Sequence, residues 1–442
     1  MNMPWSNHPS RNRNGPATEF PWGSDGIIRE ELFSVERLEQ HAASLAAAQR
    51  TTARPGGGRL LYRRLGQNKA RLLDAYGRFS AAISNGQSVT PAAEWLVDNY
   101  HQVEAQIRQI HEDLPPAYYR RLPNLADGPF AGYPRVFGIA WACIAHSDSH
   151  FDVESLRRFL LAYQKVEVLT IGELWAVAIT MRIVLIENLR RAVDRIIESQ
   201  EGLEEANAIA DQLLGTGSGM ADPDVLISRE AAGHGCSPAL MVQLVKRLRD
   251  QDPRVTPAMR WLEEQMASRG SNADQMVHEE HQRQGASNVT VRNIIISMRL
   301  ISDIDWAEVC ESVSAVDQAM RSGSAFDDMD FATRDLYRNA IEELSRGSRH
   351  SELEVAAAAL DRAQRADAQS RREKDPGFYL IDSGRRAFER ELQYRIPLRH
   401  WPRRLRPSLG NAAYFLAVAV VTATVLALPL ITIAPVLSLI HI

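Results

Sequence analysis

The stretch LTIGELWAVAITMRIVLIENLRR, Leu169 to Arg191, limits what this chain can fold into more than any other. It is apolar enough to demand burial, yet Glu173, Arg182 and Glu187 interrupt it. Its longest uncharged run, Leu174 to Met181, falls far short of the roughly 20 residues a membrane span needs. An arginine at mid-helix would add about 2.5–3.5 kcal/mol to the cost of insertion. The stretch therefore reads as a helix buried inside a folded domain. Thr170-Ile171-Gly172-Glu173 fits a capping box, in which hydroxyl and carboxylate satisfy each other's backbone amides. Leu169 and Leu174 stand where a hydrophobic staple would be. Arg182 must find a partner, because a lone buried charge is costly.

The neighbouring segments repeat the helical period. Leu156, Phe159, Leu160 and Tyr163 follow the i, i+3, i+4, i+7 spacing, as do Met241, Leu244, Val245 and Leu248 behind Ser237-Pro238. Leu336, Tyr337, Ala340, Ile341 and Leu344 form a third apolar face behind Asp330. Thr90-Pro91 and Thr256-Pro257 are two further starts, each a cap followed by proline at the first helical position. NVTVRNIIISMRL could be a buried strand by its β-branched run, but its surroundings favour a helix. Breaks are expected at Arg54–Gly58, Gly215–Gly219 and Gly270–Asn272. The expectation is an all-α protein. Residues 1–27 form a disordered tail, and 28–406 an all-helical cytoplasmic domain with a possible sub-boundary near 215–222.

The last part has a different composition. From Asn411 to Ile440 there is no charged residue, and the run is long enough to cross a bilayer. Ahead of it, Arg385 to Arg406 holds eight arginines against Glu389 and Glu391. By the positive-inside rule this puts the helical body on the cytoplasmic face. Residues 407–442 are thus expected to be a transmembrane segment. Arg399, Trp401, Arg403, Arg404, Arg406 and Tyr414 would anchor it at the interface, and Pro429 and Pro435 would end or kink it. The chain stops at LSLIHI with no polar loop after it, as a cut-off sequence would. A net charge of -4 argues against nucleic acid as a partner. The three cysteines are far apart, which suits a reducing compartment.

Few residues suggest chemistry. HSDSHFD offers His146, Asp148, His150 and Asp152; HEEHQRQ offers His278, Glu279, Glu280 and His281. The zinc pattern HExxH fails, because Gln282 stands where the second histidine belongs. Both clusters read as exposed polar helix ends, with His278 and His281 kept as metal candidates. Asp328 and Asp330 make the Asp-x-Asp with which many glycosyltransferases hold a metal and a diphosphate, but helix capping explains Asp330 better. Pro257–Trp261 resembles the Gln-x-x-Arg-Trp of processive synthases, with Pro257 in place of the glutamine. GTGSG lacks the lysine of a P-loop. No catalytic residue and no cofactor site are expected in this region.

Several long blocks resemble one family. They are Glu31–Gln49, Thr90–Pro123, Gly132–Asp152, Leu169–Arg191, Glu280–Trp306 and Met329–Arg338. They are similar to the N-terminal part of the cyclic β-1,2-glucan synthases, large proteins of the bacterial inner membrane. The resemblance implies a membrane glycosyltransferase that uses UDP-glucose and a divalent metal, is primed on itself, and closes a glucan ring. It also implies that the transferase and phosphorylase-like modules lie downstream, as partners of this region beside the lipid bilayer. Glu280, His281 and Arg283 match the family pattern without an assigned role. The alternatives are a non-catalytic, membrane-tethered helical interaction protein and a metal hydrolase built on His278 and His281.

Overall fold

The computed structural model describes residues 26–52, 58–113, 116–214, 237–249, 256–366, 371–395, 415 and 418–425. The chain divides into two compact units, Met1–Ala315 and Val316–Ile442.

In the first unit the helices are α1 (Val35–Ala48), α2 (Gly58–Ser84), α3 (Pro91–Asp113), α4 (Pro116–Tyr119), α5 (Arg135–His146), α6 (Val153–Gln164), α7 (Ile171–Leu214), α8 (Pro238–Leu248), α9 (Thr256–Ser268), α10 (Ala273–Asp303) and α11 (Trp306–Val313). The only strands among the described residues are β1 (Thr51–Thr52) and β2 (Asn124–Leu125), antiparallel, with Thr51 opposite Leu125. The all-helical expectation holds, and NVTVRNIIISMRL lies within α10.

The spine is α7, 44 residues long and so about 66 Å from end to end. It starts as expected. The Glu173 amide donates to Thr170 Oγ1 at 3.2 Å, and the Thr170 amide to Glu173 Oε2 at 2.9 Å. Its first half packs against α2, α3, α5 and α10, so side chains on every face are covered. Leu189, Val184 and Ile186 are fully buried, each contributing about 1.5–3 kcal/mol by leaving water. Its second half carries Ala206, Ile209, Ala210 and Leu213 into a smaller core with α8, α9 and Met276. Trp261 is in that core, so the PAMRW segment is packing material. At Gly202 the cap of α8 comes close; a Cβ there would lie 2.7 Å from Ser237 Oγ. Between α9 and α10, Gly270 has φ +73, and Ser271 N donates to Met266 O, a Schellman stop that a residue with a Cβ closes poorly.

The second unit contains α12 (Ala315–Gly323), a 3-10 turn (Phe326–Asp328), α13 (Phe331–Gly347), α14 (Glu352–Arg365), α15 (Pro376–Leu380) and α16 (Arg385–Glu391). Arg338 and Asp317 form a buried ion pair at 2.6 Å in its core.

The N-terminal boundary lies earlier than expected. Gly26 and Ile27 do not belong to a free tail: Gly26 O accepts from Arg191, and Ile27 packs on the core. Residues 1–25, the region 215–222 and the anchoring residues Arg399, Trp401, Arg403, Arg404, Arg406 and Tyr414 lie outside the described residues. Among the described residues no helix is long and apolar enough to cross a membrane. Of the expected span 407–442, only 415 and 418–425 are described; they are helical and exposed.

Ala178 is 6% exposed. Ala178→Asp is therefore expected to cost several times the roughly 1 kcal/mol lost in Thr170→Ala. Denaturant unfolding of the two variants checks this; equal midpoints would place α7 outside the core.

Candidate functional site

The polar centre of the first unit is built on α7. Glu187 is 1% exposed. Arg64 reaches it from α2 with two bonds of 2.9 Å, Asn68 with one of 2.8 Å, and Arg190 and Arg191 from one turn along at 3.0 and 2.8 Å. Burial alone would raise this carboxyl's pKa. The hydrogen bonds from Arg64 and Arg191 and the charge of Arg190 outweigh it and hold the pKa at about 2. A carboxylate so held stays ionised near neutrality and is a poor general base. Asp194 binds Arg190 at 2.5 Å and Arg71 at 2.6 Å. Near the start of α7, the capping glutamate has a second role: Arg135 grips both Glu173 oxygens at 2.8 and 2.6 Å, with both residues buried. Spacing shows the cap but not this long-range partner. Among the described residues Arg182 bonds a backbone carbonyl, Ile301 O at 3.4 Å, and its Nε has no partner. Burial lowers its pKa, and the charge of Asp113 opposes that.

HSDSHFD is not an exposed helix end. His146, Asp148 and Ser149 are buried, although His150 and Asp152 are exposed. Asp148 and Ser149 adopt φ 49 and 60, left-handed values that cost about 1–3 kcal/mol each in non-glycine residues. The surroundings hold them there. Thr290 donates to Asp148 Oδ1 at 2.7 Å, Asn188 to Ser149 Oγ at 2.8 Å, and Ser297 to Ser149 O at 2.7 Å. His146 sets Nδ1 2.8 Å from Glu31 O and stacks on Phe33. The cluster is a joint between α5, α7, α10 and the segment ahead of α1. Asp152 caps α6 through Ser155 N.

The metal candidates are engaged separately. His278 Nε2 lies 2.8 Å from Gln282 Nε2, and His281 Nε2 lies 3.1 Å from Lys246 Nζ. Each contact makes the imidazole nitrogen an acceptor and uses the lone pair a metal would need. Asp330 accepts from Thr333 N at 2.7 Å and caps α13, while Asp328 ends the 3-10 turn. Among the described residues no group of three or more His, Cys, Asp or Glu could hold a metal ion. Glu280 is buried, paired with Arg283 at 2.7 Å and bonded by Ser199 of α7 at 3.2 Å. Its geometry is that of a strut between α10 and α7.

No family model matches the chain. It is 36% identical over 373 residues to the cyclic beta-(1,2)-glucan synthase NdvB of Rhizobium meliloti (strain 1021). The chain belongs to the cyclic β-1,2-glucan synthase family. The match covers 83% of the chain but only 13% of that relative's length. The blocks that carry the family resemblance are mostly α1, α3, α5, the first half of α7 and α10, the elements around the Glu187 network and the 148–149 joint.

Glu187→Gln leaves guanidinium groups around a neutral amide, an imbalance expected to cost about 3–5 kcal/mol. The folded pKa is depressed from 4.5 to about 2. Its stabilisation is therefore complete above pH 4.5 and disappears as pH falls toward 2. The stability difference between wild type and variant, measured by thermal melts, should shrink across that window. A difference independent of pH would show that the carboxylate charge is not what Glu187 contributes.

Proposed function

We propose that this chain is the helical region that precedes the membrane and transferase modules of a cyclic β-1,2-glucan synthase, and that it acts as a scaffold and anchor without a catalytic site of its own. The observation that carries this is the extent of the match, most of this chain against 13% of a synthase. The geometry agrees with it: the clustered carboxylates are tied up in arginine pairs and helix caps. A glucosyl transfer from UDP-glucose needs a cationic or metal-bound cradle for the diphosphate and an oriented acceptor hydroxyl. His278 and His281 are engaged by Gln282 and Lys246, and Asp330 caps a helix, so these residues do not fit that need. On this reading the donor site, the divalent metal and the ring-closing chemistry belong to downstream modules of the same synthase.

The same proposal includes an inner-membrane location with the helical body in the cytoplasm. Residues 418–425 support it, because all eight are uncharged and exposed, with Val421 and Val425 each 62% exposed. Six of the eight are Val or Ala, and Thr424 turns its hydroxyl back onto Val420 O; an uncharged, mostly apolar exposed helix is out of place in water. The arginines between 385 and 406 support the orientation.

Membranes carrying residues 1–442 should incorporate no glucose from UDP-glucose, with or without magnesium or manganese. Transfer that is lost in Asp328→Asn/Asp330→Asn would overturn the non-catalytic reading. For topology, an N-terminal reporter should be labelled only from the cytoplasmic side, and periplasmic labelling would reverse the orientation.

A further inference from the structure

The second unit contains a cleft of about 530 Å³ at the end of α13, lined by Arg346, Arg349, Arg395, Glu343, Gln393 and Tyr394. Its shape follows from a local fold-back. Gln393 takes φ 52, Tyr394 N bonds to Glu389 O, and Arg395 N bonds to Gly347 O at 2.8 Å. This brings Arg395 beside two arginines nearly fifty positions earlier. Gly347 permits the approach, since a Cβ there would collide with the Tyr394 ring.

The charge in the cleft is unbalanced. Arg346 is paired with Glu342. Glu343, the one acid in the lining, is taken by Arg385 at 2.7 Å and by the Tyr394 hydroxyl at 3.3 Å. The side chains of Arg349 and Arg395 have no ion pair or hydrogen bond among the described residues. The carbonyl end of α13 supplies about half a negative charge, against two uncommitted guanidinium groups. The cleft therefore favours an anion. Guanidinium forks match phosphate oxygens best, and the volume is in the range of small-molecule sites.

We propose that this cleft is a phosphate site, occupied by the headgroup of an anionic phospholipid. The choice of lipid as the source rests on the membrane reading above. Arg395 precedes the uncharged run at Asn411 by 16 positions (411 − 395), so the connecting chain spans at most about 55 Å. A bilayer surface with anionic headgroups is the nearest abundant source of phosphate for a site so tethered.

The test uses the purified 442-residue chain in a neutral detergent. The probes are dihexanoyl phosphatidylglycerol, dihexanoyl phosphatidylcholine and inorganic phosphate. The readouts are calorimetric titration and amide hydrogen exchange at 345–350 and 393–395. Phosphatidylglycerol is expected to bind saturably and slow exchange in both segments, and phosphatidylcholine is not. Arg349→Gln/Arg395→Gln should weaken binding about tenfold or more, with an unchanged melting temperature because both side chains are exposed. Arg349→Lys/Arg395→Lys should restore part of it. Inorganic phosphate binding as tightly as the lipid would keep the phosphate site and overturn the lipid as its source. No arginine-dependent binding of any probe would overturn the site. Carbonate extraction of membranes reads the anchor separately. A chain that extracts yet binds phosphatidylglycerol refutes the anchor alone, and one that resists extraction yet binds nothing refutes the site alone.

Discussion

The structure of the first unit depends on one buried carboxylate. Glu187 sits in the buried first half of α7 and accepts from Arg64, Asn68, Arg190 and Arg191. An apolar helix can shift by a turn against apolar neighbours at modest cost. A buried carboxylate cannot, because each lost donor leaves a charge uncompensated in a medium that solvates it poorly. The network therefore sets both the rotation and the register of α7 against α2. It also reaches the first described residues. Arg191 holds Gly26 O, and Asn188 clamps both the amide and the carbonyl of Ile28. Segments more than 150 positions apart are fastened to one turn of helix.

The joint at Asp148 and Ser149 depends on the same turn. Asn188 binds Ile28 on one side and Ser149 on the other. Two left-handed residues in succession are unfavourable by a few kcal/mol, yet the donors from α7 and α10 arrive only if the backbone turns there. Strain at the joint and satisfaction of buried polar groups are thus parts of one arrangement. In many enzymes such strain marks the reacting centre. Here its surroundings show a packing role, since Asp148 Oδ1 faces Thr290 and Arg29 and not a cavity.

This economy of charge bears on function. In the first unit the buried acids Glu173, Glu187 and Glu280 are committed to arginines, hydroxyls and amides, so they hold elements together instead of facing a reactant. The contrast lies in the second unit, where Arg349 and Arg395 are exposed and their side chains have no partner among the described residues. Within one family member, arginine thus serves as internal cement, at Glu187 in one unit and at Asp317 in the other, and in the second unit also as an exposed electrostatic surface.

Much of this architecture could be read from local pattern. The period of apolar residues marks the helices, and the caps at Thr170, Ser237, Asp330 and Thr90 are where Ser, Thr or Asp precedes an apolar run. These signals are legible because capping and amphipathicity act within one or two turns. The charges inside Leu169–Arg191 likewise excluded a membrane helix and required partners. The identity of those partners was not legible: Arg64 for Glu187, Arg135 for Glu173, and a bare carbonyl for Arg182. HSDSHFD reads as an exposed end for the same reason, since the burial of Asp148 and Ser149 comes in part from α10, more than 130 positions later. The arginine cleft likewise joins the end of α13 to residues 393–395. Sequence determined which segments are helical and which side chains could not be left alone. Tertiary structure alone decided which distant groups meet, because pairing in a low-dielectric interior depends on three-dimensional proximity and not on spacing along the chain.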